Sequence, residues 1–125
     1  MKGVAQYFMV LAVISVTIGM GWGIQMSATG NHLLSPAHAH LNLIGWVSMA
    51  IFALYYHLVP TAAQTMLARA HFALAASGLV LIVPGIVMAI RETGEILAVL
   101  GSFLTLLSML VFLVTVLRQG MRGAP

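Results

Sequence analysis

The chain has 125 residues, of which 62% are hydrophobic and only 6% are charged. Because a soluble domain carries about 25% charged residues, this composition excludes a soluble globular domain and a disordered chain. The five Lys and Arg residues are dispersed, which excludes a nucleic-acid-binding surface, and the lack of cysteine excludes disulfides and thiolate metal sites. We therefore expect a small integral membrane protein in contact with lipid.

Long uncharged stretches separate the few charged residues and indicate the membrane spans. No charged residue lies between Lys2 and Arg69, between Arg69 and Arg91, or between Glu95 and Arg118. A spanning helix needs about 20 apolar residues, and a cluster of Gly, Asn, Ser and Pro divides the longest stretch in two. The spans predicted in chain order are residues 4–26, 37–59, 66–90 and 96–117.

The fold class follows from these four spans. Backbone groups in lipid must be satisfied internally, so only helices or a closed barrel can cross the membrane. Long continuous apolar runs favour helices over the alternating segments of a barrel, and short connections make consecutive helices antiparallel. We expect a single all-α domain, an up-down-up-down four-helix bundle.

The distribution of Lys and Arg predicts the orientation. Under this topology Lys2, Arg69, Arg118 and Arg122 lie on one side of the membrane and Arg91 lies on the other. Positively charged residues are enriched on the cytoplasmic side. Both termini are therefore predicted to be cytoplasmic in a multi-pass protein.

Five histidines are the main candidates for chemistry, and two of them open the second helix. His38 and His40 are two residues apart, so they point roughly 200° apart on a helix at about 100° per residue. They cannot easily hold one metal from one continuous helix. One is expected to face the bundle and the other to face water, a partner or the opposite side; the alternative is two interfacial histidines that bind headgroups or loop carbonyls.

A second pair lies near the cytoplasmic side. The connection between the second and third helices is short, so His57 and His71 are predicted to lie at similar depth and could ligate one metal or a haem. The alternative is two interfacial histidines that snorkel to the surface. His40 and His57 are 17 residues apart, about 25 Å along a helix, so one macrocycle cannot use both within one chain.

Small residues mark faces where a neighbour could approach closely. His71, Gly78 and Gly85 recur at seven-residue intervals on the third helix, and the first helix carries Gly19 and Gly23. Small residues in membranes usually serve close helix packing. The alternative is a flat groove for the face of a porphyrin.

Two segments of the second helix carry a family resemblance. Residues 38–46 read His-Ala-His-Leu-Asn-Leu-Ile-Gly-Trp, and residues 53–60 read Ala-Leu-Tyr-Tyr-His-Leu-Val-Pro. This resembles the second transmembrane helix of the haem-copper oxidase catalytic subunit, in the nitric oxide reductase and C-type oxidase branches. The resemblance extends loosely over the first helix, to cover residues 7–60. It implies that His40, in the His-x-Asn motif, is an axial ligand of a low-spin haem b near the outer face.

The chain also departs from that family. It has far fewer helices, and it lacks both the adjacent His-His pair of the family's second metal and the later helix with the remaining haem ligands. We therefore expect no oxygen or nitric oxide reduction by this chain alone. Under the resemblance, His71, His57, His38 or a histidine of a second copy would complete the haem coordination, and Arg91 would pair with the haem propionates.

The sequence thus favours b-type haem binding, for electron transfer or haem handling, in a homo-oligomer such as a dimer. Two alternatives stay open. The outer histidines, His38 and His40 with His32, could bind copper or zinc. The chain could instead be a cofactor-free accessory or assembly subunit of a respiratory oxidase. Expected partners are such an oxidase, a quinone or a cytochrome, in a bacterial inner membrane.

Overall fold

The structure, a computed structural model, describes residues 1–122. Within that range the chain forms four long helices and one short one. They are α1 (Gly3–Thr29), α2 (Ser35–Leu58), α3 (Pro60–Ala63), α4 (Met66–Ile90) and α5 (Ile96–Arg122). Each of the four long helices is long and apolar enough to cross a membrane. The predicted all-α four-helix architecture is confirmed.

The helix boundaries follow local chemistry at each end. α1 continues three residues beyond its predicted end and stops at Gly30, whose φ of 66° is left-handed, a conformation that glycine adopts without steric cost. α4 begins as predicted because the Thr65 side chain accepts a hydrogen bond from the Ala68 amide, at 3.1 Å. α5 continues to Arg122, five residues past its predicted end, since a helix need not stop where its apolar run does.

The two ends of the bundle differ in charge. The start of α1, the end of α5 and α3 lie at one end, which we call the basic end because it carries Lys2, Arg69, Arg118 and Arg122. The α1–α2 connection and the turn at residues 91–95 lie at the opposite end. The chain's acidic side chains, Glu92 and Glu95, are both in that turn.

α2 contains a π-helical segment, Leu41–Ser48, between two α-helical parts. The buried positions across it recur every fourth residue, at Ala37, Leu41, Gly45 and Met49. A π-helix makes i→i+5 hydrogen bonds and has a wider turn than an α-helix, so this spacing keeps one face of α2 against α1. Gly45 is required there, because an added Cβ would lie 2.7 Å from the Ser15 hydroxyl.

α4 and α5 pack as a close hairpin, the most extensive helix pair in the structure. The buried residues of α4 recur every three or four positions, at Ala68, His71, Ala75, Gly78, Ile82 and Gly85. Those of α5 recur every seven, at Gly101, Ser108 and Thr115. This period is typical of left-handed helix packing, and the small residues let the two backbones approach closely.

Candidate functional site

A groove of about 360 Å³ runs along the bundle between α2 and α5, and we call it the α2–α5 groove. This volume lies within the range of small-molecule sites, roughly 300–1,000 Å³. The groove is lined by His40, Ile44, Ser48, Met49 and Phe52 of α2, by Ile82 of α4, and by Ser102, Thr105, Leu106, Ser108 and Met109 of α5. His40 is its only histidine among the described residues, so any imidazole chemistry in the groove depends on that side chain.

The first turn of α2 fixes the His40 ring. Its Nδ1 lies 2.7 Å from the carbonyl oxygen of Pro36. A carbonyl oxygen only accepts hydrogen bonds, so Nδ1 donates, and in the neutral ring the lone pair is on Nε2. Metal-binding histidines usually donate their other ring N–H in this way. Half-buried His40 is thus held in the tautomer that a metal ligand needs.

The hydroxyl groups in the groove are already engaged by their own helices. Each donates to a backbone carbonyl of the preceding turn, at 2.7–3.0 Å for Ser48, Ser102, Thr105 and Ser108. Hydroxyls bonded in this way offer little to a ligand beyond their outer surface. The groove therefore combines the Nε2 of His40, which has no partner among the described residues, with hydroxyls bonded to their own helices and with apolar side chains.

His38 faces the other side of α2, as its spacing from His40 predicts. Its Nε2 lies 2.9 Å from the carbonyl oxygen of Gly19, and the Asn42 amide nitrogen lies 3.2 Å from the same Nε2. A Cβ on Gly23 would lie 3.3 Å from that nitrogen. His38 therefore joins α2 to α1 and does not share a ligand with His40.

His71 is the most enclosed of the histidines, with no exposed surface. Its Nδ1 and the hydroxyl of Tyr56 are 2.9 Å apart. Phe52 meets the ring edge-on with centroids 4.5 Å apart, and Phe112 stacks on it at 5.5 Å. Nε2 has no hydrogen-bond partner within the described residues.

The structure does not bring together His57 and His71, the second predicted pair. His57 is exposed and borders a groove of about 440 Å³ beside Met1, whereas His71 is fully buried. Tyr56 takes the place beside His71. Tyr56 is seven residues before Ala63 and His71 is seven residues after Gln64, so the hairpin places them at equal depth. The rotation of α2 about its axis then turns Tyr56, and not His57, towards His71.

Two further candidate residues lie on the surface at the end opposite the basic end. His32 and Arg91 are both exposed. Within the described residues, no group of three or more His, Cys, Asp or Glu side chains is placed to hold a metal ion. The structure therefore does not gather His32, His38 and His40 around one site.

The glycine faces serve helix packing. A Cβ on Gly78 would lie 2.9 Å from the backbone nitrogen of Thr105, and one on Gly85 would lie 2.6 Å from the backbone carbon of Leu97. α5 thus occupies the face of α4 where a flat porphyrin groove was the alternative. On α1, a Cβ at Gly19 would instead meet the side-chain amide of Asn42.

Sequence reasoning missed the role of Tyr56 and the whole of the α2–α5 groove. The symmetry of the hairpin about its turn could have indicated the role of Tyr56, because Tyr56 and His71 are equally far from the turn and so lie at the same depth. The groove had no such signal, because its α2 and α5 walls come from residues at least 50 positions apart.

Comparisons with family models, curated proteins and solved structures find no significant match to this chain. The resemblance to the haem-copper oxidase subunit therefore stays a prediction from the residues of α1 and α2.

Proposed function

We propose that the chain binds b-type haem in the α2–α5 groove, with His40 as axial ligand, and serves electron transfer or haem handling. The observation that supports this most is the 2.7 Å contact between His40 Nδ1 and the Pro36 carbonyl oxygen. It leaves Nε2 as an available ligand at the wall of a groove whose hydroxyl groups are already bonded to their own helices. His57 also borders a groove, at the basic end, but no hydrogen bond among the described residues fixes its ring as the Pro36 carbonyl fixes that of His40.

The residues present fit this group in donor type and in surroundings. Imidazole is a usual axial ligand of b-type haem iron, and Leu106 and Met109, which are both exposed, give the groove apolar contact surface. Arg91 lies at the same end of the bundle as His40 and is proposed to pair with the propionates by bidentate hydrogen bonds. When bound, the haem would supply a one-electron redox centre.

The coordination would be completed from outside this chain. His71 packs against Tyr56, which lies 16 residues after His40 along α2, about 24 Å at the rise of a helix. His38 is engaged with α1. A histidine of a second copy is therefore the proposed second ligand in a dimer, and a haem with His40 alone would instead suit gas binding or sensing.

The test is an absorption spectrum of haem-supplied, detergent-purified protein, oxidised and then dithionite-reduced. We expect the sharp reduced bands of low-spin b-type haem, and we expect His40→Ala to remove them. The matched control is His32→Ala, which deletes an exposed imidazole at the same end of the bundle and should leave the spectrum unchanged. A flat spectrum in the unaltered protein, or an unchanged spectrum in His40→Ala, would overturn the proposal.

The same preparation separates the two alternatives. Bound copper or zinc without a haem spectrum would favour a metal protein that uses the outer histidines. Co-purification with a larger oxidase at fixed stoichiometry, without a chromophore of its own, would favour an accessory or assembly subunit. We infer a bacterial inner membrane as the location from the resemblance and from the distribution of Lys and Arg.

A further inference from the structure

A second groove, of about 420 Å³, lies at the basic end between the start of α1 and the start of α4. Its lining includes Gly3, Tyr7, Gln64, Arg69 and Phe72, and we call it the basic-end groove. We propose that it binds an anionic phospholipid, with the phosphate headgroup at Arg69 and Gln64. This proposal is independent of the haem site, which lies on other helix faces and begins at the opposite end.

The charges at the basic end favour an anionic ligand. The basic end carries four cationic side chains, and both acidic side chains of the chain lie in the turn at the opposite end. The positive charges thus have no carboxylate side chain of their own chain near them. In a membrane, anionic headgroups are the complementary charges at that depth, and basic pockets between helices bind them.

The position of Arg69 in α4 also favours a bound anion. Arg69 is exposed and is the fourth residue of α4, so it lies in the first turn. Cations are disfavoured there, because the helix dipole places partial positive charge at the N-terminus. A phosphate bound beside Arg69 would offset both the side-chain charge and the dipole.

The basic-end groove has a polar part and an apolar part, and this division favours a lipid over a free phosphate. Gln64 and Arg69 form the polar part. The rings of Tyr7 and Phe72 are tilted against each other with their centroids 5.8 Å apart. Tyr7 is 60% exposed on the outside of the bundle. An acyl chain would cover these rings, whereas a soluble phosphate would leave them bare.

The other cations at the basic end provide a matched control. Arg118 and Arg122 border a pocket of only about 60 Å³ together with Thr115 and Gln119, too small for a phospholipid headgroup by the usual size of ligand sites. A diffuse surface attraction would involve Arg118 as much as Arg69. A built site would depend on Arg69 and not on Arg118.

The experiment titrates the detergent-solubilised full chain with dioleoylphosphatidylglycerol and with dioleoylphosphatidylcholine, and counts bound lipids by native mass spectrometry. We expect the anionic lipid to bind preferentially. We expect Arg69→Gln to weaken it about fivefold, equivalent to the roughly 1 kcal/mol that one cation contributes at a membrane surface. Arg118→Gln should change the affinity less than about twofold, and circular dichroism should show unchanged helix content in both variants.

Three results would overturn the proposal. Equal binding of the two lipids would show that the headgroup charge is not recognised. Equal weakening by Arg69→Gln and Arg118→Gln would show a diffuse attraction without a site. Complete displacement of the anionic lipid by millimolar inorganic phosphate would show that the groove takes a soluble anion and that the acyl chain contributes nothing.

Discussion

The histidines of this chain illustrate how the surroundings of each ring decide what the ring can do. His40 has one nitrogen occupied by the Pro36 carbonyl and one available. The Nε2 of His38 is occupied by its contact with the Gly19 carbonyl oxygen of α1. His71 is enclosed by aromatic rings and bonded to Tyr56, so its role in this structure is to hold α2, α4 and α5 together at the basic end.

The Tyr56–His71 contact predicts a measurable coupling. Tyr56→Phe leaves both nitrogens of a fully buried imidazole without a conventional partner, and we expect a loss of about 1–2 kcal/mol in the free energy of unfolding. Unfolding in mixed detergent–SDS micelles measures this change. Tyr55→Phe removes the same hydroxyl from the adjacent, half-buried position and should cost little.

A double-mutant cycle completes this test. When both partners become apolar, the penalty for the unpaired polar group disappears. Tyr56→Phe combined with His71→Leu should therefore be more stable than the sum of the single changes predicts. Strictly additive effects would show that the hydrogen bond does not contribute to stability.

At the scale of elements, backbone approach between helices matters more than side-chain chemistry. The α4–α5 hairpin is held at small residues, where Gly85 meets the backbone of Leu97 and Ala98, and Gly101 meets that of Ile82. α2 meets α1 through a π-helical segment that keeps Gly45 against Ser15. An added methyl group at Gly85 or Gly101 would meet backbone atoms, whereas one at Gly45 would meet the side chains of Ser15 and Leu79.

Gly85→Ala is the change that tests this packing. The new Cβ would press on the backbone of α5, and we expect a destabilisation of roughly 1–3 kcal/mol from overpacking, seen as a lower unfolding midpoint in the same micelle assay. Gly21→Ala is the control, because a Cβ there meets nothing within 4 Å and alanine is the better helix former. If both variants had the same stability, the hairpin would be looser than the structure indicates.

At the scale of the whole molecule, four spanning helices place both ends of the described chain on the same side of the membrane. The charges divide accordingly, with four cationic side chains at the basic end and one at the other. This asymmetry predicts the orientation of the helices in the membrane, because segments rich in Lys and Arg are preferentially retained in the cytoplasm during insertion.

Reporter fusions in a bacterial host check the predicted orientation. Alkaline phosphatase fused after Asn31 should be active, because that connection is predicted to face the periplasm. The same enzyme fused at the C-terminus should be inactive, and a green fluorescent protein fused there should fluoresce. Active phosphatase at the C-terminus would mean that the orientation is inverted or that the number of spans is odd.

Much of the fold could be read from composition and charge. The positions of Lys2, Arg69, Arg91 and Arg118 bracket the spans, and the bounds of α4 agree with the prediction to the residue. The π-helical segment could not be read, since its sequence fits an α-helix equally well and only the packing against α1 distinguishes the two. For the candidate site, helical spacing separated His38 from His40, but it gave no indication of which would have a free nitrogen.

The sequence by itself determined the class of protein, the number of spans and the charge difference between the two ends, because these depend on hydropathy and charge summed along the chain. Only the tertiary structure decided that Tyr56 rather than His57 meets His71, that α5 covers the glycines of α4, and that His40 lines a groove. Those outcomes depend on the rotation of each helix about its own axis. That rotation is set by contacts between helices distant in sequence.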